Sequence, residues 1–255
     1  MQGKNVLVTG GASGIGLGIA STLAQRGANI IISDLNAEAA ETAAETLRGQ
    51  GYSASVLVMN VCDPQDVEKL ATYATANPVD ILVNNAGLQH VSKLEDFPRE
   101  KWQLLIDVML VAPAMLSQAV LPSMRDRGYG RIINIGSVHS LVASPFKSAY
   151  VAAKHGLVGF SKVMALETAD TDITINTICP AYVKTPLVEK QIADQAKNHG
   201  ISEEEVIQKI MLEPMPKKSF IDLEEIAETV AFLSSSAAKN ITGQTMVLDG
   251  GWTAK

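Results

Sequence analysis

The sequence is poor in the residues that build cross-links and metal sites. Its 255 residues include two cysteines, Cys62 and Cys179, which lie far apart and in no CxxC pattern. This spacing excludes a disulfide framework and favours two small core side chains over a zinc site. The four histidines show neither HxxxH nor HExxH spacing, so the sequence predicts no metal centre.

Positive charge and long apolar runs are scarce as well. Lys and Arg number 21 against 27 Asp and Glu, which gives a net charge of −6. Nucleic-acid-binding proteins carry a basic surface, so this balance argues against that class. No apolar run approaches the roughly 18 residues of a membrane helix, and the first residues enter a short apolar strand instead of a signal-peptide core. With 47% apolar residues, the chain is predicted to be a folded, soluble, cytoplasmic protein without a membrane or nucleic-acid partner.

Seven short β-branched runs alternate with Ala-, Leu- and Glu-rich stretches of helical character. The runs cover residues 5–9, 29–33, 55–59, 80–84, 131–135, 174–178 and 245–248, and the helical stretches cover 15–26, 37–50, 65–76, 99–126, 149–169 and 222–236. Parallel strands need crossovers, so the alternation predicts a doubly wound, Rossmann-like α/β fold. We expect a seven-stranded parallel sheet with strands buried on both faces and helices on both sides, in one domain spanning residues 1–255.

One segment departs from this alternation. Residues 185–218 carry many charged and polar residues, with Gly200, Pro214 and Pro216, between the sixth strand and the last helix. Excursions of this length are uncommon unless they are functional, which favours a helical lid over a binding site. A solvated pair of surface helices is the alternative.

Glycines follow the first strand directly and open the first helix. Gly10, Gly14 and Gly16 would let backbone N–H groups approach a pyrophosphate at the helix N-terminus. A tight turn alone would use the same residues, but the place at the start of a βαβ unit favours a dinucleotide cradle. Asp34 ends the second strand, where a carboxylate would bind the ribose hydroxyls and repel a 2′-phosphate. We therefore predict NAD and not NADP; an N-cap role of Asp34 for the helix at 37 is the alternative and is compatible with it.

Tyr150 and Lys154 are spaced one helical turn apart near the start of a predicted helix. The phenol and the ammonium would point the same way, and the cation would lower the pKa of the phenol towards that of a general base. Ser137 follows the fifth strand at the sheet edge where ligands bind. Alone, the Tyr-x-x-x-Lys pair would read as a surface pair; after a dinucleotide cradle and Ser137, it predicts an alcohol-oxidising site.

Together these motifs resemble those of the short-chain dehydrogenase/reductase family, over essentially the whole chain. The residues that carry the resemblance are Thr9-Gly10-x-x-x-Gly14-x-Gly16, Asn84-Asn85-Ala86-Gly87, Ser137, Tyr150-x-x-x-Lys154 and the Pro180 region. A narrower similarity, to the bacterial D-3-hydroxybutyrate dehydrogenase subfamily, lies in Leu88-Gln89-His90, Ser137-Val138-His139, the residues 148–155 and 185–191, and the ending Asp249-Gly250-Gly251-Trp252-Thr253-Ala254.

The resemblance implies three sets of site residues. The catalytic set is Ser137, Tyr150 and Lys154. The substrate set is Gln89, His139, Lys147 and Gln191 around a carboxylate, with Tyr182 against the substrate methyl group. The set in contact with NAD is Gly10, Ser13, Gly14, Ile15, Gly16, Asp34, Leu35, Asn60, Val61, Asn85, Ala86, Gly87, Tyr150, Lys154, Pro180, Val183 and Thr185. The resemblance also implies a homotetramer built on the helices at 99–126 and 149–169, although the sequence alone leaves dimer and tetramer open.

Two positions depart from the family pattern. Met109 lies where the family usually has an Asn whose backbone holds a water beside the catalytic lysine, and Met cannot donate a side-chain hydrogen bond. Ala181 and Tyr182 follow Pro180 where family members often have Gly and Trp. The first departure puts the proton exit path in question, and the second implies a somewhat different pocket for the substrate methyl group.

These expectations converge on one reaction, the reversible NAD-dependent oxidation of (R)-3-hydroxybutyrate to acetoacetate. Tyr150 would act as the general base, and the four polar residues would hold the acid so that its C3 faces the nicotinamide. Two rivals stay open. A dehydrogenase of another small hydroxy acid or alcohol would share every cofactor residue, and a non-catalytic NAD-binding protein would agree with Met109 but not with Ser137, Tyr150 and Lys154.

Overall fold

Seven parallel strands form one sheet in the computed structural model of the protein. The structure describes residues 1–254, apart from the side chains of Pro186, Leu187, Lys190, Asp194, Gln195, Asn198 and His199. The strands are β1 (Asn5–Thr9), β2 (Asn29–Asp34), β3 (Ala54–Val58), β4 (Ile81–Asn84), β5 (Tyr129–Ile135), β6 (Asp172–Pro180) and β7 (Thr245–Leu248). Their order in the sheet is β3-β2-β1-β4-β5-β6-β7. This order confirms the predicted doubly wound fold, and the chain reverses its direction across the sheet between β1 and β4.

The helices flank the sheet on both faces. They are α1 (Gly14–Gln25), α2 (Ala37–Gly49), α3 (Pro64–Ala76), α4 (Arg99–Ile106), α5 (Ala112–Arg127), α6 (Ser148–Glu167), α7 (Pro186–His199), α8 (Glu203–Val206) and α9 (Leu223–Leu233). The N-cap of α2 is Asn36, whose Oδ1 accepts a hydrogen bond of 3.1 Å from the Ala39 N–H. The alternative role of Asp34 as the cap of this helix is therefore wrong.

Alternate residues of the strands enter two separate cores, as the two-residue period of a strand requires. Val6 and Val8 of β1 pack with α1, α2 and α9, whereas Leu7 packs with α3 and α5 on the opposite face. The expectation that all strands are buried on both faces is wrong for β3 and β7. These are the edge strands of the sheet, and Val58 and Val247 stay 49% and 38% exposed.

The predicted helix at 99–126 is interrupted in the middle. Between α4 and α5, residues Asp107–Val111 form a turn of π-helix. By length and composition alone the whole segment Arg99–Arg127 could cross a membrane, although it contains no long uninterrupted apolar run. A core helix passes the same test, and the side chains of Leu105, Met109, Leu116, Val120 and Met124 are fully buried against the rest of the protein.

The segment 185–218 is helical, as predicted. It contains α7, α8 and a second π-helical turn over Ile207–Met211. Ile192, Val206 and Met211 form a small apolar cluster of their own, and Tyr182 packs against it from the end of β6. The segment therefore lies over the residues that follow the carboxyl end of β6.

Candidate active site

A cavity of about 610 Å³ opens at the carboxyl ends of the strands. This is the edge at which doubly wound sheets bind ligands, and the volume lies within the range of small-molecule and cofactor sites. Every residue predicted for the site lines the cavity except Gly16. The structure thus brings together residues from eight chain segments. It adds apolar wall residues that were not among the predicted site residues: Met59, Leu88, Leu104, Val108, Met109, Ile135, Val138, Ala181 and Val188.

The glycine turn after β1 has the backbone of an anion cradle. Gly10 and Gly14 have φ values of +60° and +52°, a region that favours glycine. A Cβ on Gly14 would point towards Thr185, 3.8 Å away on the other side of the cavity, so it would fill space that a ligand could use. Ser13 is the N-cap of α1 but makes no side-chain hydrogen bond to it. The turn and the helix N-terminus therefore fit a pyrophosphate.

Gly16 has a different role from the one predicted. It does not line the cavity, and a Cβ at this position would lie 2.2 Å from the Gly10 carbonyl oxygen and 2.6 Å from Asn85 Nδ2. That Asn85 nitrogen donates hydrogen bonds to the carbonyls of Thr9 (2.9 Å) and Gly10 (3.0 Å). Gly16 therefore allows α1 to pack closely behind the turn, and its contribution to a ligand site is indirect.

Asp34 lies at the end of β2 with its carboxylate held in place. One oxygen accepts the N–H of Ala12 at 3.3 Å and the other accepts the N–H of Asn36 at 3.1 Å. These two bonds connect the glycine turn to the start of α2, beside the exposed Leu35. A fixed negative charge here can accept hydrogen bonds from ribose hydroxyls and repels a phosphate on the same ribose.

Ser137 is fixed by a short turn that follows β5. It caps the 3-10 turn Val138–Ser140, where its Oγ accepts the His139 N–H and its own N–H donates to Ser140 Oγ, both at 3.2 Å. Because one lone pair of the hydroxyl is already used, its proton is available to an oxygen in the cavity. The hydroxyl is also close enough to the Tyr150 phenol to lower its pKa.

Tyr150 and Lys154 lie on the same side of α6, as predicted. The Lys154 Nζ lies 5.8 Å from the centre of the Tyr150 ring and donates a 2.6 Å hydrogen bond to the Ile135 carbonyl. Burial lowers the pKa of Lys154 to about 8. The expected lowering of the Tyr150 pKa is wrong: burial raises it, and the hydrogen bond from Ser137 opposes this only in part. Desolvation of this wholly buried phenol is the largest influence on its pKa.

Lys147 supplies a buried positive charge at the other end of the cavity. Its side chain is almost wholly buried, with Nζ 3.3 Å from His139 Nε2 and 3.4 Å from the Tyr182 hydroxyl. Burial lowers the pKa of Lys147 to about 8 and raises that of Tyr182 to about 12. In the described part of the chain Lys147 has no acidic partner within salt-bridge distance. A buried cation with neutral neighbours fits an anionic ligand.

His139 is neutral and has a defined tautomer. Burial and the charge of Lys147 lower its pKa to about 3. Because the Lys147 ammonium can only donate, His139 Nε2 must accept, which leaves the ring proton on Nδ1. Nδ1 is buried and finds no hydrogen-bond partner among the described residues. The buried Nδ1–H does not reach the cavity, so the part of His139 in this site is to hold the Lys147 ammonium through Nε2. Gln89 and Gln191 line the same cavity.

Trp252 contacts two residues of this site, although it was not among the predicted site residues. Its ring stacks on Tyr182, with centroids 6.1 Å apart, and meets His139 edge-on at 5.7 Å. The Asp249 carboxylate fixes the turn that carries it, by accepting the N–H groups of Gly251 (2.8 Å) and Thr253 (2.7 Å). The sequence marks Trp252 only as a tryptophan that follows two glycines near the last residue. That pattern does not indicate which distant residues the ring contacts.

Met109 lies in the π-helical turn and lines the cavity. It is fully buried, and its sulfur would be 3.7 Å from a Cβ on Gly87. The side chain therefore forms an apolar part of the wall next to the residues of the Asn85-Ala86-Gly87 turn.

Comparisons with known proteins agree with this geometry. The family model for short chain dehydrogenases matches residues 4–196, and the chain therefore belongs to this family. A crystal structure of an actinorhodin polyketide ketoreductase variant with NADPH superposes with a TM-score of 0.94 at 32% identity, covering 100% of both chains. The family assigns a nicotinamide cofactor and a small-molecule substrate to the cavity.

Two similar relatives carry a more specific name. The chain is 47% identical over 257 residues to a D-beta-hydroxybutyrate dehydrogenase of Rhizobium meliloti, and the alignment covers 99% of both chains. It is 45% identical to a D-beta-hydroxybutyrate dehydrogenase of Cupriavidus necator, which covers 100% of both. The subfamily resemblance noted in the sequence is thereby confirmed.

Proposed function

We propose that the protein catalyses the reversible NAD-dependent oxidation of (R)-3-hydroxybutyrate to acetoacetate. The observation that carries the proposal is the buried ammonium of Lys147, which faces the same cavity as Ser137 and Tyr150. A charge without an acidic partner in such a pocket favours a carboxylate over a neutral alcohol. The two relatives named for this substrate support the same choice.

NAD is the proposed cofactor because of Asp34. Its carboxylate is held at the end of β2 by two backbone N–H groups, and the neighbouring Leu35 offers no positive charge to a 2′-phosphate. Gly10, Ser13, Gly14 and Ile15 would hold the pyrophosphate. The remaining predicted contacts, Asn60, Val61, Asn85, Ala86, Gly87, Pro180, Val183 and Thr185, line the cavity beyond this turn.

The chain's own residues position the substrate and move one proton. The Ser137 hydroxyl, whose Oγ is held by the His139 N–H, donates its free proton to the substrate oxygen. In oxidation Tyr150 takes the hydroxyl proton, and in reduction its phenol returns a proton to the carbonyl oxygen. A bound nicotinamide accepts or supplies the hydride at C3. Lys154, whose ammonium donates to the Ile135 carbonyl, would hold the nicotinamide ribose.

The acid end of the substrate is bound by charge and by two kinds of donor. Lys147 offers an ammonium, which His139 orients through Nε2, while Gln89 and Gln191 offer amides from the loop after β4 and from α7. Holding the carboxylate at one end directs C3 towards the catalytic residues, which is catalysis by positioning. Tyr182, supported by the Trp252 ring, packs against the substrate methyl group.

The test is an assay of NADH formation with each enantiomer of 3-hydroxybutyrate. We expect turnover with the (R) form and NAD, and little with the (S) form or with NADP. No NADH from the (R) form would contradict the proposal. The preference for substrate chain length is then measured by comparing the four- and five-carbon hydroxy acids in the same assay.

The wider organisation is proposed on the same basis. We propose one domain spanning residues 1–255, with 185–218 as a lid, since Val188 and Gln191 of α7 face the cavity. We also propose that the protein is cytoplasmic and forms a homotetramer. The π-helical turn, α5 and α6 expose apolar side chains outside the cavity that partner chains would cover, among them Val111, Met115, Val163 and Leu166. Light scattering after gel filtration would show a mass of four chains; a monomer would contradict it.

A further inference from the structure

Phe146, directly before the buried Lys147, has an unusual backbone conformation. Its φ is +68°, and only one other non-glycine residue of the described chain, Lys218, has a positive φ. Bulky L-residues rarely adopt this region because Cβ approaches the backbone too closely. We propose that Phe146 is a positioning residue, whose left-handed backbone aims Lys147 into the cavity and thereby sets the affinity for acid substrates. The inference rests on the proposed function, in which Lys147 binds the substrate carboxylate.

The phenyl ring does not compensate for this conformation. Phe146 is 50% exposed, so its side chain gains little from burial where it stands. A strained conformation persists only when the surrounding structure imposes it, and such residues cluster at ligand sites. The compensation must therefore come from the backbone of Phe146 and from the residue that follows it.

Two backbone features hold Phe146 in this conformation. The Phe146 carbonyl accepts a 2.9 Å hydrogen bond from the Ser92 N–H, which ties this loop to the one that carries Gln89. The next residue, Lys147, is the N-cap of α6, with φ −118° and ψ 32°, and its side chain is turned fully inwards. One strained residue thus connects the loops of Gln89 and Lys147 and fixes the point at which α6 begins.

The consequence is that the backbone of residue 146, and not its side chain, controls the acid subsite. Asn and Gly adopt positive φ easily, whereas a β-branched residue strongly resists it. Phe146→Asn and Phe146→Gly should therefore keep Lys147 in place even though the ring is lost. Phe146→Val should shift the backbone towards the extended region and withdraw Lys147 from His139 and Tyr182.

The experiment compares these variants in NADH-dependent reduction of acetoacetate and of its neutral ester, methyl acetoacetate. For Phe146→Val we expect the KM for acetoacetate to rise about tenfold or more, with kcat little changed and kcat/KM for the ester within about threefold of the unmodified protein. Phe146→Asn and Phe146→Gly should keep the KM for acetoacetate. Loss of general stability would affect both substrates equally, so the acid-to-ester ratio separates positioning from folding.

Several results would overturn the inference. An equal rise in KM for the Asn, Gly and Val variants would assign the effect to the lost ring, and an unchanged KM for Val would show that the conformation is irrelevant. If Phe146→Val does not fold, Phe146→Asn tests the inference instead. A KM for acetoacetate equal to that of the unmodified protein, together with a higher Tm, supports the inference, and a raised KM refutes it.

Failure of the proposed function has a separate signature. If the unmodified protein reduces neither substrate, the proposed function fails, and the position of Lys147 is followed instead by NMR of ¹³C-methylated lysines. The Lys147 pKa should then move towards the ordinary lysine value in Phe146→Val and stay low in Phe146→Asn. A Lys147 signal that is the same in both variants would refute the inference by itself.

Discussion

Replacing Lys147 by methionine tests the acid subsite most directly. Met fills nearly the same volume but can neither carry a charge nor donate a hydrogen bond. In the structure the Lys147 ammonium is buried and lies 3.3 Å from His139 and 3.4 Å from Tyr182. The variant therefore keeps the apolar contacts of the side chain and removes the one charge that a substrate carboxylate would meet.

The expected magnitude follows from the burial of the site. Leaving one partner of a buried ion pair unpaired costs about 3–5 kcal/mol, and part of this is recovered if the two glutamines still donate to the carboxylate. A net loss of about 3–4 kcal/mol corresponds to a decrease of roughly 200- to 1000-fold in kcat/KM for acetoacetate. Methyl acetoacetate carries no charge, so its kcat/KM should change by less than about threefold.

The pH dependence gives an independent check. Lys147 has a lowered pKa of about 8, so it is charged below pH 8 and becomes neutral above it, and binding of the acid weakens as the pH rises through 8. His139, with a pKa of about 3, does not change charge in this range. Lys154 also has a pKa of about 8, but it affects both substrates. The acid-to-ester ratio of kcat/KM therefore isolates Lys147.

The assay is NADH oxidation from pH 6 to 9.5 with both substrates. For the unmodified protein the acid-to-ester ratio should be constant at low pH and fall with pH above about 8, towards a slope of tenfold per unit. For Lys147→Met it should be low and flat throughout. A ratio that is independent of pH in the unmodified protein, or one that Lys147→Met leaves unchanged, would refute the assignment of Lys147 as the carboxylate ligand.

Three further predictions concern the cofactor, the turn and the proton. The double substitution Asp34→Ser and Leu35→Arg should raise the ratio of kcat/KM with NADP to kcat/KM with NAD by about 100-fold. The reason is that a charge-assisted hydrogen bond from the new arginine to the 2′-phosphate contributes about 1.5–3 kcal/mol. An unchanged ratio would show that Asp34 does not select the cofactor. Gly16→Ala should lower the free energy of unfolding, measured by urea denaturation, by about 3 kcal/mol. The control is Gly49→Ala, whose new Cβ meets no atom within 4 Å and should not destabilise the protein. Because the pKa of Tyr150 is raised, kcat/KM for oxidation of the alcohol should increase with pH from 6 to about 8, above which the loss of the Lys147 charge opposes the increase. Tyr150→Phe should lose about 10²–10⁴-fold of activity in both directions. Oxidation that is as fast at pH 6 as at pH 8 would contradict the raised pKa.

The strand and helix pattern was predictable because hydropathy alternation is a local property of the sequence. Each predicted strand lies within two residues of the observed one at either end. The glycine turn and the Ser137, Tyr150 and Lys154 set could also be placed, since topology brings the carboxyl ends of parallel strands to one edge. The exposure of β3 and β7 was missed because a sequence does not show which strands end the sheet.

The remaining errors concern properties that only the folded environment decides. The pKa of Tyr150 depends on how much of the phenol is removed from water, and the spacing of Tyr150 and Lys154 contains no information on that. Trp252 contacts residues more than 60 positions away in the sequence. The left-handed backbone of Phe146 has no signal at all, because the usual indicators of that conformation are Gly and Asn.

The π-helical turn at Asp107–Val111 has a consequence for how the protein can change during evolution. An α-helix advances about 100° per residue, so the one extra residue of a π-turn rotates all later side chains by about that angle. Before the turn, Leu104 lines the cavity, and after it Met115 lies on an outward apolar face. Mutations on either side of the turn therefore act on different surfaces: those before it alter the wall of the ligand cavity, and those after it alter an exposed apolar face.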